Sequence, residues 1–421
     1  MPSRFRRVLI ITYHFPPEPA AGALRPSFLA KYLKDFGWES TVLTRSLGPE
    51  VTEPSSVVAA EDLLEKIGIK RRAAAFGTRT GSEERAAPKS GRSAGIKEFA
   101  KSVILFPDRA AGWLPNALAH ALRITSKERF DAIISSCPPL SAHIVASLTA
   151  MLRRLPWIAD YRDLWSGNPY FDGDVRTRIT CALEHWFLRR ATVVTAVNDS
   201  IASLQRTAFN KRSEAIPAAY DPGEWDGIGD GYPRAFTLSY AGVLYEGERR
   251  LDIAFSSVAA LRKAGEPAGM AAQFEVFGGD DLIVRDLAKR LGLSDLVRSS
   301  GSVERAEILR AERSAAVLLL PLSMRQGTAQ DVGSKIFEYI GARRPIIAIG
   351  PPDSAVKQII ARHGLGWFAS DELSCMQAIR EAYSRFVSGE LGPTSPKTDE
   401  IATSREVAGR FAALLNAVVV N

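Results

Sequence analysis

Apolar residues in this chain gather into short unbroken runs of strand length, and between those runs they recur every three or four positions. From Arg7 to Thr12 the run "RVLIIT" predicts a strand covered on both faces. A Pro- and Gly-rich loop, "FPPEPAAGALRP", follows, and then a helix on which Phe28, Leu29, Tyr32 and Leu33 recur at helical spacing. "ESTVLT" returns the chain to a strand. The alternation continues through "FDAIISSCPPLSAHIVASL", "PWIADYRDLW" and "ATVVTAVNDSIASLQ", the last with a helix cap at Asn198 or Asp199. It starts again with "AFTLSYAGVL", "FEVFGG", "AAVLLLPL" and "PIIAIG". Strand, loop, helix and strand make the unit of a doubly wound parallel sheet, which binds ligands outside the C-terminal ends of its strands.

Two such series call for two cores, and 421 residues exceed one. The first domain is expected over residues 1–212. Residues 213–233 are Pro-, Gly- and Asp-rich and read as an interdomain connector. A second wound domain covers 234–395. In 396–421, Val407, Phe411, Leu414, Leu415 and Val418 fall at helical spacing, predicting a last helix that folds back on the first domain.

Composition is that of a globular protein. Lys and Arg number 54 against 47 Asp and Glu, a net +7 that is too mild to imply nucleic acid but suits an anionic ligand or membrane surface. Ten basic and three acidic residues lie between Lys66 and Lys101 among Gly, Ser, Ala and Pro, so residues 66–101 read as a basic insertion. Such a segment either stays solvated or rests on an anionic leaflet, the inner face of the cell membrane being the natural one. After it, Phe99, Val103 and Ile104 against Lys97 and Lys101 predict a short amphipathic helix. Cys137, Cys181 and Cys375 are too few and too scattered for a disulfide framework or a zinc site, which fits a reducing cytoplasm. No apolar run is long enough to cross a bilayer, and "VLII" near the N-terminus has strand length only.

The richest stretch chemically is "GSKIFEYIGARRPIIAIG", residues 333–350. Gly333 and Ser334 read as the loop and cap of a helix start, which offers unpaired N–H groups and a partial positive charge to a phosphate. Lys335 and Glu338 share one face of that helix, and a carboxylate suits a ribose diol. The helix is expected to stop near Gly341. A solvated Lys–Glu pair on an ordinary surface helix is the other reading.

Taken in order, "ITYHFPPEPAAGALRPSFLAKYLKDFGWESTVLT", "FPDRAAGW", "PPLSAH", "ADYRDLW", "YAGVLYEGERR" and "GSKIFEYIGARRPIIAIG" resemble glycosyltransferase family 4, a retaining family of nucleotide-sugar enzymes. The resemblance implies an α/β protein of the GT-B fold, two doubly wound Rossmann-like domains facing across a cleft, and closure about the connector to exclude water. It implies a donor site built from Glu338 on the ribose, Ser334, Gly333 and Lys335 at the diphosphate, and a cation on that diphosphate from Arg249 or, second, Arg250. Gly242 and Gly278 would let the backbone pass close to the nucleotide, and Val303 would meet the base through its main chain. Each has a plainer alternative: a solvated arginine, turn glycines, a core valine. On the acceptor side it implies Gly22, Arg25 and His14, with a turn glycine and a surface cation as alternatives for the first two. Asp163 follows Arg162 where related enzymes often present a His-Asp pair, so Arg162 is a departure, and Asp163 either meets substrate or holds Arg162. His143 is expected to pack or cap.

The family's pair of glutamates eight positions apart ends at Glu338 but begins here at Gln330, which keeps hydrogen-bonding capacity and loses charge. Asp172–Asp174 and Gly278–Asp281 read as turns or caps, so no metal or other cofactor is expected. No GxGxxG follows the first strand, which disfavours a dinucleotide oxidoreductase. The expected partners are a nucleotide-sugar donor and a glycan or lipid-linked acceptor in cell-surface polysaccharide or glycolipid synthesis. A nucleotide-sugar epimerase of the same fold and a non-catalytic donor-binding subunit are the rivals.

Overall fold

The computed structural model describes residues 5–18, 20–46, 56–66, 106–165, 175–229, 232–244, 248–279, 281–324, 332–394 and 401–420. Among the expectations, most of the basic insertion with the helix after it, the Asp172–Asp174 turn and Gln330 lie outside them. The described chain forms two compact units. One is built from the residues up to Ala219 together with those from Ala402 onward, the other from Tyr220 to Ile401.

The first unit holds a seven-stranded sheet, all parallel, in the order β3-β2-β1-β4-β5-β6-β7. Its strands are β1 Arg6–Ile11, β2 Trp38–Arg45, β3 Val57–Ala60, β4 Ala132–Cys137, β5 Trp157–Tyr161, β6 Val193–Ala196 and β7 Ser213–Ala215. Helices α1 Ala21–Tyr32, α2 Leu114–Lys127, α3 Leu140–Arg153, α4 Val175–Leu188 and α5 Asp199–Phe209 connect them. Every residue of β4, β5 and β6 is buried, because helices cover both faces, and that is why apolar residues dominate these strands. Alternation along β1 sends Leu9 and Ile11 into one core and Val8 and Ile10 into the other. The second core is closed by α12, Ser404–Val420, whose Val407, Phe411 and Leu415 pack with Leu29, Leu33 and Trp38. Asn198, rather than Asp199, caps α5, accepting from the Ile201 N–H at 2.8 Å.

Two boundaries differ from expectation. Residues 213–215 are not connector: they pair in parallel with β6 as an edge strand, too short and too polar ("SEA") to announce itself. The loop expected up to Pro26 ends at Ala20, and α1 begins at Ala21 despite Pro26 inside it. This moves Gly22 into the first helical turn.

The second unit holds six parallel strands in the order β10-β9-β8-β11-β12-β13. They are β8 Thr237–Ala241, β9 Gln273–Phe277, β10 Val297–Ser299, β11 Val317–Pro321, β12 Ile346–Ile349 and β13 Gly366–Ala369. The helices are α6 Leu251–Lys263, α7 Asp281–Arg290, α8 Arg305–Ser314, α9 Lys335–Ala342, α10 Ala355–His363 and α11 Glu372–Val387. Gly341 does not end α9. It lies inside the helix, where a Cβ would stand 2.3 Å from Trp225 Nε1, and Arg343 in the left-handed region (φ 56°) makes the stop. In both units the strand order reverses beside the first strand, between β1 and β4 and between β8 and β11. Crevices of this kind are where wound sheets bind ligands.

The first unit is held at its centre by a buried charge. Arg25 is not a surface cation: Nε and Nη2 reach the Asp160 carboxylate at 3.0 Å, and Nη1 and Nη2 donate to the Pro217 and Ile216 carbonyls at 2.7 and 3.0 Å. Asp160, wholly buried on β5, also accepts from Thr195 Oγ1 and Ser136 Oγ at 2.8 and 3.2 Å. The guanidinium lies 5.1 Å from the Phe411 ring centre on α12. One side chain therefore ties α1, β5, the segment after β7 and the last helix. Leaving either ion buried without its partner costs about 3–5 kcal/mol. Arg25→Ala and Asp160→Ala should each lower the unfolding free energy of the first unit, read from denaturant curves, by that order, and the double replacement should cost less than the sum.

Candidate functional site

In the second unit the ends of β8, β9 and β10 are closed by glycines in conformations that L side chains avoid: Gly242 (φ 156°), Gly278 (φ 147°) and Gly301 (φ 64°). Their backbones touch directly. Gly242 N–H donates to the Phe277 carbonyl at 2.8 Å, Gly278 N–H to that of Gly301 at 2.7 Å, and a Cβ on Gly278 would stand 2.1 Å from Gly242 O. At these three positions the main chain carries no Cβ toward the strand ends.

Arg249 sits at the β8/β11 crevice. Its backbone forms an antiparallel bridge with Ser323, just past β11, and the Met324 N–H donates to the Glu248 carbonyl at 3.1 Å. Its guanidinium reaches the Val243 carbonyl, Nη1 at 3.4 Å, so it lies along the loop that leaves β8. Arg250, beside it, points elsewhere: three bonds of 2.8 to 3.0 Å commit its guanidinium to Asp252. Of the two expected cations, position favours Arg249.

Helix α9 follows β11 and so begins at the same C-terminal edge of the sheet. Gly333 and Ser334 are exposed, and a Cβ on Gly333 would meet nothing within 4 Å. Ser334 corrects one expectation. It takes helical dihedrals and its hydroxyl makes no cap bond; its carbonyl instead accepts from the Phe337 and Glu338 N–H groups at 3.1 and 3.3 Å. The first N–H groups of α9 are therefore left without an intrahelical partner, as at any helix start.

The Lys335–Glu338 pair is not a solvated surface pair either. Glu338, with its side chain 10% exposed, lies 2.6 Å from Lys335 Nζ and 3.2 Å from Arg305 Nη1. Arg305 is bidentate to Glu224, both bonds 2.8 Å, and Lys335 also meets the wholly buried Glu312 at 3.4 Å. Burial alone would raise the Glu338 carboxyl, but Lys335 and Arg305 outweigh it and hold it at about 2. Burial also works against the charge on Lys335 and Arg305, yet the carboxylates around them keep both above their ordinary values. Glu312 goes the other way, pushed well above the usual carboxylate range by burial and by Glu338 beside it. Arg305, Glu312 and Glu224 are absent from the sequence-derived list. Seven residues separate Arg305 from Glu312, which sets them two turns apart on one face of α8; that spacing was the available signal. Val303 is half-buried in the loop before α8, two residues ahead of Arg305.

At the β1/β4 crevice of the first unit, Gly22 and Arg162 meet. A Cβ on Gly22 would stand 2.2 Å from Arg162 Nη1, so the glycine is the seat of that guanidinium. Arg162 also donates through Nη2 to the Pro138 carbonyl and through its backbone to that of Cys137 at 2.8 Å. Asp163 is exposed just past β5. His14 lies within 3.0 Å of Glu18, which Arg45 joins at 2.9 Å, and Arg45 continues to Glu65 at 2.9 Å. Opposed by its own burial, Glu18 is nonetheless lowered by His14 and Arg45. Arg25, by contrast, is spent on Asp160. His143 is wholly buried, with Nδ1 2.7 Å from Ser135 Oγ; burial first, and then Arg162, depress it to about 3, so it is a neutral packing residue.

Among the described residues no helix is long and apolar enough to cross a membrane. No curated protein sequence matches the chain. Residues 27–218, all within the span of the first unit, match the family described as a glycosyl transferase 4-like domain. Solved structures extend the likeness over the whole length. HepE from Anabaena, in complex with UDP and glucose, aligns at a TM-score of 0.60 and 14% identity, covering 98% of this chain and 100% of that one. The pneumococcal O-GlcNAc transferase GtfA, with UDP and GlcNAc, aligns at 0.59 and 11%, covering 99% and 100%. Sucrose-phosphate synthase from Thermosynechococcus elongatus aligns at 0.56 and 13%, covering 99% and 96%. Residues 27–218 thus match a glycosyl transferase 4-like domain, and the chain as a whole has the fold of the GT-B glycosyltransferases.

Proposed function

We propose that this protein transfers a sugar from a nucleoside diphosphate donor to a glycan or lipid-linked acceptor, with retention at the anomeric carbon and without a metal ion. The observation that carries the reading is the β8/β11 crevice, where glycine backbone, the Arg249 clamp and the exposed start of α9 stand at one edge of one sheet. Diphosphate belongs there. As the sugar–phosphate bond breaks, negative charge grows on the leaving diphosphate, and groups already in place stabilise it more in the transition state than before. Arg249 supplies the cation, and the α9 N–H groups with the Ser334 hydroxyl supply donors. Glu338, kept ionised beside that helix start, accepts from the ribose diol. Gly242, Gly278 and the main chain near Val303 leave room for the nucleotide.

The acceptor falls to the first unit, with Arg162 on its Gly22 seat, Asp163 and His14 lining the β1/β4 crevice. We place the protein in the cytoplasm, peripheral to the inner face of the membrane, in cell-surface polysaccharide or glycolipid synthesis. UDP-sugars head the donor list, since HepE and GtfA are each held with UDP. Binding of a nucleotide sugar with no turnover on any acceptor would favour the non-catalytic reading that Gln330 raises. Formation of an epimer from donor alone would favour an epimerase.

Calorimetry against uridine, guanosine and thymidine diphosphate sugars should find one donor class. On that donor Arg249→Ala should weaken binding about tenfold and slow transfer by a factor of about 100, the usual effect of removing one pre-positioned group. Affinity for the free nucleoside should not change, and equal loss for nucleoside and donor would reject the role. Arg250→Ala, its guanidinium committed to Asp252, should stay close to wild type. Glu338 gives a pH test. Its folded value lies below that of a free carboxyl at about 4.3, so it keeps its charge through the ordinary carboxylate range and loses it only near about 2. Nucleotide-sugar affinity should therefore hold from about pH 7 down to about pH 3.5, past the free carboxyl value of about 4.3. A drop centred on an ordinary carboxylate value would show Glu338 not to be held as described.

A further inference from the structure

Around Glu338 three acids face two bases. Glu224, Glu312 and Glu338 stand against Arg305 and Lys335, and every contact among them lies within 3.4 Å. Glu312 is the odd member. It is wholly buried on α8, its Oε1 faces Lys335, and its Oε2 has neither solvent nor a donor within reach. What Glu312 and Glu338 share is one cation: Lys335 Nζ stands 3.4 Å from Glu312 Oε1 and 2.6 Å from Glu338 Oε1. Three ionised carboxylates against two cations would leave an uncompensated negative charge out of water, so the cluster holds one proton. With that proton, two negative and two positive charges remain, the balance a buried cluster requires. The proton belongs to Glu312, because Glu338 has the shorter bond to Lys335 and holds Arg305 as well.

We propose that Glu312 is a positioning residue for donor binding: a neutral carboxylic acid that donates to Glu338, accepts from Lys335, and so fixes the rotamer in which Glu338 meets a ribose diol. The inference rests on the reading of Glu338 given above and adds to it the residue that sets its aim. Helix α8 would then act on the donor through α9, although Glu312 itself never touches it. Nothing apolar could take its place with the same result. A leucine would fill the volume but take away the acid that shares Lys335 with Glu338.

The test compares UDP and GDP with their 2′-deoxy forms by calorimetry on the full chain. Wild-type protein should prefer the ribose form of the nucleotide it binds by about tenfold or more, the scale of a hydrogen bond to a charged group. Glu338→Ala should abolish the preference. Glu312→Leu should reduce it to about threefold or less while leaving affinity for the 2′-deoxy nucleotide intact, which also reports that the variant is folded. Glu312→Gln should keep the preference, since its amide donates to Glu338 and accepts from Lys335 as the protonated acid does. An unchanged preference in Glu312→Leu, or equal loss in the Gln and Leu variants, would overturn the proposal while the role of Glu338 stood. No ribose preference in wild type, or none lost in Glu338→Ala, would remove both.

Discussion

A carboxylate taken out of water has to be met by cations and hydrogen-bond donors, and each unit of this protein is organised around one that is. In the first, Asp160 is fully satisfied by Arg25, Thr195 and Ser136 at the middle of the sheet. Nothing is left over for a ligand, and the group serves the fold. In the second, Glu338 is met by Lys335 and Arg305 from one side and retains a small exposed face beside the start of α9. The same requirement yields a closed structural tie in one unit and, in the function proposed above, a binding group in the other, and the difference is how many partners the surrounding helices bring.

The ion pairs of the second unit also divide the work among cations that look equivalent in the chain. Arg250 neutralises Asp252 at the surface, Arg305 joins Glu224 to Glu338, and Lys335 bridges Glu338 and Glu312. Arg249 alone among them is held by its own backbone across the crevice, through the bridge to Ser323. A side chain anchored at its main chain keeps its reach toward an incoming anion at little entropic cost.

The two wound sheets were legible in the sequence wherever a strand is covered on both faces. "VLII", "VLLLP" and "IIAI" carry their burial as unbroken apolar runs. The edges were not, because β7 and β10 are three residues long and mix polar with apolar positions. That Gly242, Gly278, Arg249, Lys335 and Glu338 stand near strand or helix ends could also be read, because the runs that flank them are clear. What sequence could not give was direction. Arg25 looked like a surface residue at a helix start and proved to point inward, and Gly341 looked like a stop and proved to be a seat for Trp225. Glu312 escaped notice because its partners come from another helix.

The last helix has a bearing on how the chain reaches this state. Its Val407, Phe411 and Leu415 close a core whose members, apart from those from Ala402 onward, all lie before the second unit begins. On the ribosome, the first sheet must wait with one side uncovered while Tyr220 to Ile401 are translated, a delay of about ten to forty seconds at ordinary elongation rates. Chaperones would find their substrate in that interval, and the first unit would finish folding after the second.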